Sequence, residues 1–115
     1  WEKLVPVPTR KIPVLIGGKG EQKTLRIVAR HADIWHSFVT PEELAHKVSV
    51  IDEWAAKDGT DVSNLVVSNE LQRRTTEDAD ALYDAGVRLF TLGFDGPDWD
   101  FDVVRRWLQW RDGKN

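Results

Sequence analysis

The chain has 115 residues and a net charge of −3, with 16 basic against 19 acidic side chains of interspersed sign. That length suits a single domain with one core, and the mixed charge argues against a nucleic-acid platform. No apolar run approaches the roughly 20 residues that cross a bilayer. Cysteine is absent, which rules out disulfide and thiolate chemistry and fits a reducing cytoplasm, the expected location. Methionine is absent too and the chain opens on Trp1, as expected of a processed or cut product.

Residues 1–115 are expected to form one domain in which 1–11 are an irregular lead-in, because Pro6 and Pro8 remove ladder donors and bias their neighbours to extended forms. Ile12 to Ile16 is a compact apolar run with Pro13 near its start, where a strand tolerates it. Its lack of alternation suits a parallel strand. The spacing of Leu25, Val28, Ala29 and Ala32 predicts a helix over about 21–32 with a single apolar stripe. Ile34 to Val39 is the second strand candidate. Thr40-Pro41-Glu42-Glu43 is a helix start with a capping box and Pro at the first helical position. Leu44, Val48, Ile51 and Ala55 line the buried face of that helix with Trp54 beside them, and Gly59 stands at its C-cap.

A third unit runs from a strand at Leu65 to about Leu71 into a helix opened by Thr75 or Thr76 and closed by Gly86. A fourth has a strand at Val87 to Leu92, a loop at Gly93 to Pro97, and a helix from near Asp100 with Val103, Val104, Trp107 and Leu108 on one face. Four successive strand–helix units imply a parallel sheet with right-handed crossovers. The set is either an open doubly wound sheet or half of a closed (β/α)₈ barrel, whose full length is roughly 250 residues. In the half-barrel all helices lie on one side, so one sheet face and both edge strands stay uncovered. Such a chain is expected to form a homodimer or to pair with its missing half.

The most informative local feature is Gly17-Gly18-Lys19-Gly20-Glu21-Gln22-Lys23-Thr24, set between a strand and a helix. Glycines let backbone N–H groups approach an anion without a Cβ in the way, and the helix start adds unsatisfied amides and a positive dipole end. Lys19, Lys23 or Thr24 can add a charge or a hydroxyl. The pattern is neither a P-loop nor a GxGxxG fingerprint. Read alone it is equally a tight turn, and Glu21 favours that reading, because a carboxylate there suits the dipole and repels a phosphate.

The stretch PVLIGGKGEQKTLRIVARHADIWH resembles a segment of the luciferase-like monooxygenase superfamily, especially its F420-dependent branch. There, a strand ending in Gly-Gly runs into a helix whose start holds the phosphate of FMN or F420, and the next strand opens with a motif close to Ala-Asp-Gly-Trp. The later stretch DALYDAGVRLFTLGFDGPDWDFDVVRRWLQWRD is similar to the family's C-terminal helix, last strand and last helix. The resemblance implies an α/β chain of four βα units, the C-terminal half of a TIM barrel. It implies FMN or F420 as cofactor, a small-molecule substrate, and Gly17, Gly18, Lys19, Gly20 and Gln22 around the cofactor phosphate. Ile34 stands where the family usually has glycine, and His36 where asparagine or a small polar residue is common. The family's ring- and substrate-contacting residues from the first half of the barrel have no counterpart here.

Beyond the loop, Trp35, His36, Ser68 and Glu70 lie near strand ends, where barrel enzymes mount polar contacts, and are the possible pocket residues; Trp99 is a further candidate wall. Ser68 with His36 is not read as a hydrolytic pair, since no nucleophile elbow surrounds the serine. His31 sits near a helix end and His46 on a solvated helix segment. No histidine pair has the spacing of a helical zinc site, so no metal centre is expected. Trp54, Trp107 and Trp110 fall on amphipathic helices and read as packing or interface residues. The leading function is the phosphate-gripping half of a flavin- or F420-dependent oxidoreductase, with no catalytic residue assigned. The alternatives are a non-catalytic half-barrel interaction module and part of another phosphate-binding barrel enzyme.

Overall fold

The computed structural model describes residues 5–114; the first four residues of the expected lead-in, including Trp1, lie outside the described residues, as does Asn115. Four strands, β1 (Leu15–Gly17), β2 (Ile34–Ser37), β3 (Val66–Glu70) and β4 (Leu89–Thr91), alternate with four helices, α1 (Thr24–His31), α2 (Pro41–Asp58), α3 (Thr76–Asp84) and α4 (Phe101–Asp112). The strands form one parallel sheet in the order β1-β2-β3-β4. A sequential parallel order with right-handed crossovers puts every helix on the same side of the sheet. This is a half-barrel unit, and the open doubly wound alternative is set aside.

The strands are shorter than their apolar runs. Val14 is held by the Asp33 carboxylate, which accepts its N–H at 2.8 Å, while its carbonyl accepts from Asp33 and Ile34 N–H, so regular pairing begins only at Leu15. Phe38 and Val39 likewise leave the ladder after Ser37. Helix α1 starts at Thr24 rather than at Glu21, because Glu21 to Lys23 form a turn in front of it.

Helix α2 is closed at both ends as its sequence demands. Thr40 Oγ1 accepts the Glu43 N–H at 3.3 Å, Glu43 Oε2 accepts the Thr40 N–H at 3.1 Å, and Gly59 takes the left-handed conformation at φ 67°. Thr75, not Thr76, caps α3 through a reciprocal pair with Asp78 at 3.1 Å on each side.

Packing divides the strand residues by face. Trp35, Ser37 and Asn69 are buried on the helix side, and Trp35 joins Leu25, Val28, Leu44 and Ile51 in the main core. A second, smaller cluster of Leu71, Ala79 and Trp107 lies under α3 and α4, and Phe90 packs against both clusters. On the other face, strand register stacks Leu15, Ile34 and Val66 in one layer. Gly17, His36, Ser68 and Leu89 follow in a second, with Glu70 and Thr91 above them. Layered side chains from neighbouring strands are how a barrel fills its interior. Here Leu15 and Leu89 remain 52% and 37% exposed, as an unclosed half requires. Among the described residues no helix is long and apolar enough to cross a membrane.

Candidate cofactor-binding site

The glycine-rich loop leaves the C-terminal end of β1, the end at which barrels of this kind mount their sites. Gly18 has φ 123°, a conformation that disfavours any side chain, and a Cβ there would meet Thr24 Cγ2 at 3.1 Å. At Gly20 a Cβ would meet Thr24 Oγ1 at 3.2 Å. Both glycines therefore let the chain fold tightly over the first residue of α1. The loop is tied down by backbone bonds from Gly18 N–H to the His36 carbonyl (3.1 Å) and from Leu25 N–H to the Gly20 carbonyl (2.9 Å). Between these ties the N–H groups of Lys19 to Lys23 meet no acceptor among the described residues.

Two tryptophans hold this geometry from below. Trp35 is fully buried and donates its Nε1–H to the Gly18 carbonyl at 2.7 Å. Trp54, on α2, donates to the Glu21 carbonyl at 2.9 Å and carries the Arg26 guanidinium 4.7 Å above its ring. Large buried side chains satisfying loop carbonyls fix a backbone more firmly than exposed contacts do.

Glu21 does not occupy the start of α1. Its carboxylate turns to α2, accepting from Lys47 Nζ at 2.5 Å and from His46 Nε2 at 3.0 Å. The hydrogen bond from Lys47, with help from His46, holds its carboxyl below the usual carboxylate range. The first turn of α1 contains no acidic residue, and its N-cap Lys23 makes no side-chain cap. The objection that Glu21 would repel an anion is thereby removed. The sequence alone does not show the pairing of Glu21 with Lys47 and His46, which lie 26 and 25 residues away. The available signal was the spacing Lys47, Val50, Trp54, which puts all three on one ridge of α2. Lys19 and Lys23 are exposed and form no ion pair among the described residues, and Gln22 is exposed beside them.

Of the possible pocket residues, three share the open face and one does not. His36 and Ser68 are register partners, and His36 Nδ1 lies 2.8 Å from Ser68 Oγ. Glu70 stands one layer above, but its Oε2 accepts the Gln72 N–H at 2.7 Å, so it shapes the loop after β3. Trp35 faces the helices, where it supports the loop instead of lining a pocket. Trp99 is 53% exposed in the loop after β4, 5.0 Å from the Phe94 ring, away from the strand residues. The mouth thus joins a loop of glycine backbone to a histidine–serine pair on the adjoining strands.

The donor set suits an anion: free amides, a helix start without an acid, and two unpaired lysines. No curated protein matches the chain. The family model described as luciferase-like monooxygenase matches residues 3–109, across all four βα units and the glycine loop, and the chain belongs to that family.

Proposed function

We propose that this chain is the phosphate-gripping half of a flavin- or F420-dependent oxidoreductase. Family membership supports a flavin-type cofactor. The observation that carries the assignment of the loop is the run of unpaired amides from Lys19 to Lys23 in front of an uncapped, acid-free α1. Gly17, Gly18, Lys19 and Gly20, with Gln22, hold the phosphate: the amides from Lys19 to Gln22 by hydrogen bonds, Lys19 also by charge, and Gly17 and Gly18 by leaving room for it. The bound cofactor supplies hydride transfer, and the protein orients it. His36 and Ser68 face the interior next to the grip, where the cofactor ring or a small-molecule substrate is placed, in a protein of the reducing cytoplasm.

The exposed Leu15, Val66 and Leu89 on the open face and the two open sheet edges support a second element of this reading. The chain closes its barrel against another four-stranded half, either a second copy of itself or an N-terminal half.

The test is a titration of the ¹⁵N-labelled chain with FMN, followed by amide shifts, with light scattering for the mass. Gly18 to Gln22 amides are expected to shift while those of α3 stay still. Gly18→Val, which forces a side chain into φ 123° and onto Thr24, should abolish these shifts and cost about 1–3 kcal/mol of stability. Loop amides indifferent to FMN, F420 and inorganic phosphate alike would sink the assignment.

A further inference from the structure

We propose that Ser68 is a positioning residue that fixes neutral His36 as its Nε2–H tautomer, so that the histidine offers a hydrogen-bond donor to a carbonyl oxygen of the ligand in the barrel mouth. Ser68 is fully buried, and its Oγ has one partner among the described residues, His36 Nδ1 at 2.8 Å. If Nδ1 carried the proton it would donate to Oγ, and the serine hydrogen would be left buried without an acceptor. If the serine donates to an unprotonated Nδ1, the buried hydroxyl hydrogen and the Nδ1 lone pair satisfy each other, and the ring proton lies on the half-buried side. The second arrangement is favoured, and it puts the ring proton on Nε2.

Two side chains hold the ring in that pose, Ser68 at Nδ1 and Phe38 at its edge. The His36 carbonyl accepts from Gly18 N–H at 3.1 Å, which ties this strand to the phosphate loop. The Phe38 ring meets the imidazole edge-on at 5.1 Å. Glu70, the carboxylate on the same face, is committed to Gln72 N–H and does not compete for the imidazole. Nε2 itself has no partner among the described residues and His36 is half-buried, so its N–H is left for a ligand. The pair therefore works as an oriented donor. It is not a nucleophile, since the hydroxyl is enclosed and its proton is spent on the ring.

The inference rests on the cofactor reading above only for the identity of the ligand, and the experiment separates the two. Long-range ¹H–¹⁵N correlation on the histidine-labelled chain at pH above the imidazole titration reads the tautomer directly. Nε2–H is expected to exceed Nδ1–H by on the order of tenfold or more, the consequence of an unmet buried donor in the alternative. A predominant Nδ1–H form would overturn the proposal, with no variant needed. In Ser68→Ala the bias should collapse toward that of a free imidazole, and an unchanged ratio in a folded variant would equally overturn it. FMN added to the same sample then reports separately. Silent loop amides beside an intact Nε2–H form would fail the cofactor reading and leave the tautomer assignment standing. Shifting loop amides with a downfield Nε2 proton make the cofactor carbonyl the acceptor; shifting amides with an unmoved proton would overturn the cofactor carbonyl as the acceptor.

Discussion

Around α1 and α2 the fully buried side chains of Leu25, Val28, Trp35, Leu44 and Ile51 form a continuous core, laced by polar ties that cross between elements. Asp58, at the end of α2, accepts from both Arg26 and Arg30 of α1 at 2.6–3.0 Å, and Thr60 donates to the Ala29 carbonyl at 2.8 Å. Under α4 the buried cluster is Leu71, Ala79 and Trp107, and among the described residues the indole N–H of Trp107 has no partner. A groove of about 380 Å³ runs beside β4, walled by Leu89, Phe90, Leu92, Trp107 and Leu108. Both regions are βα units of one sheet, so the repeat itself does not explain the contrast. The first two units carry the glycine loop, and they hold it with the buried Trp35 and the half-buried Trp54. The last unit ends at an open strand edge and leaves apolar surface exposed beside it.

The largest expected effect of breaking this contrast is at Trp35. Trp35→Ala removes the centre of the main core and the donor to Gly18, and should cost about 3–5 kcal/mol by denaturant unfolding. The same variant should leave the loop amides broadened and unresponsive to FMN. A cost below about 1 kcal/mol would mean that the loop and the main core are not coupled as the geometry requires.

A smaller effect, visible mainly through pH, is expected at Asp58. Hydrogen bonds from Arg26 and then Arg30 hold its carboxyl far below the ordinary aspartate value of 3.8. A carboxyl depressed in the folded state stabilises the fold above its unfolded value, and that contribution is lost as pH falls through the folded one. Asp58→Asn should therefore be less stable than the parent at neutral pH, and the gap should close in strongly acid solution. Asp80, lowered by Lys114 and Trp110 at the other end of the molecule, provides the matched control. Asp80→Asn should show the same sign with a smaller gap, because Asp80 is 47% exposed where Asp58 is 9% exposed.

Much of the frame was legible in the residues. The Thr40-Pro41-Glu42-Glu43 start and Gly59 stop of α2 are local chemistry, and local chemistry survives folding. The glycine loop was legible for the same reason, since φ 123° at Gly18 calls for glycine in any context. What could not be read were relations across the chain. The face taken by Trp35 depends on where strand pairing begins, and Asp33 delays it to Leu15. The withdrawal of Glu21 depends on Lys47 and His46 in the next unit, and the His36–Ser68 contact depends on a register between strands 32 residues apart. Helix α4 shows the converse limit. Its stripe of Val103, Val104, Trp107 and Leu108 is correct in period, yet Leu108 remains 42% exposed because half of that face borders the open groove.

The smallest effect sharpens the comparison most, because it sets one tryptophan against another. Trp107 and Trp35 are both buried, but only Trp35 has its indole N–H satisfied. Replacement by Phe removes that N–H along with some packing volume. At Trp107 the loss of an unmet buried donor offsets the lost contacts, so Trp107→Phe should change stability by less than about 1 kcal/mol in either direction. At Trp35 the same change leaves the Gly18 carbonyl without its donor and should cost more, with the excess appearing as faster hydrogen exchange in the loop. Equal costs at the two positions would mean that the indole hydrogen bond contributes nothing. The glycine loop would then owe its shape to Gly18, Gly20 and Thr24 alone.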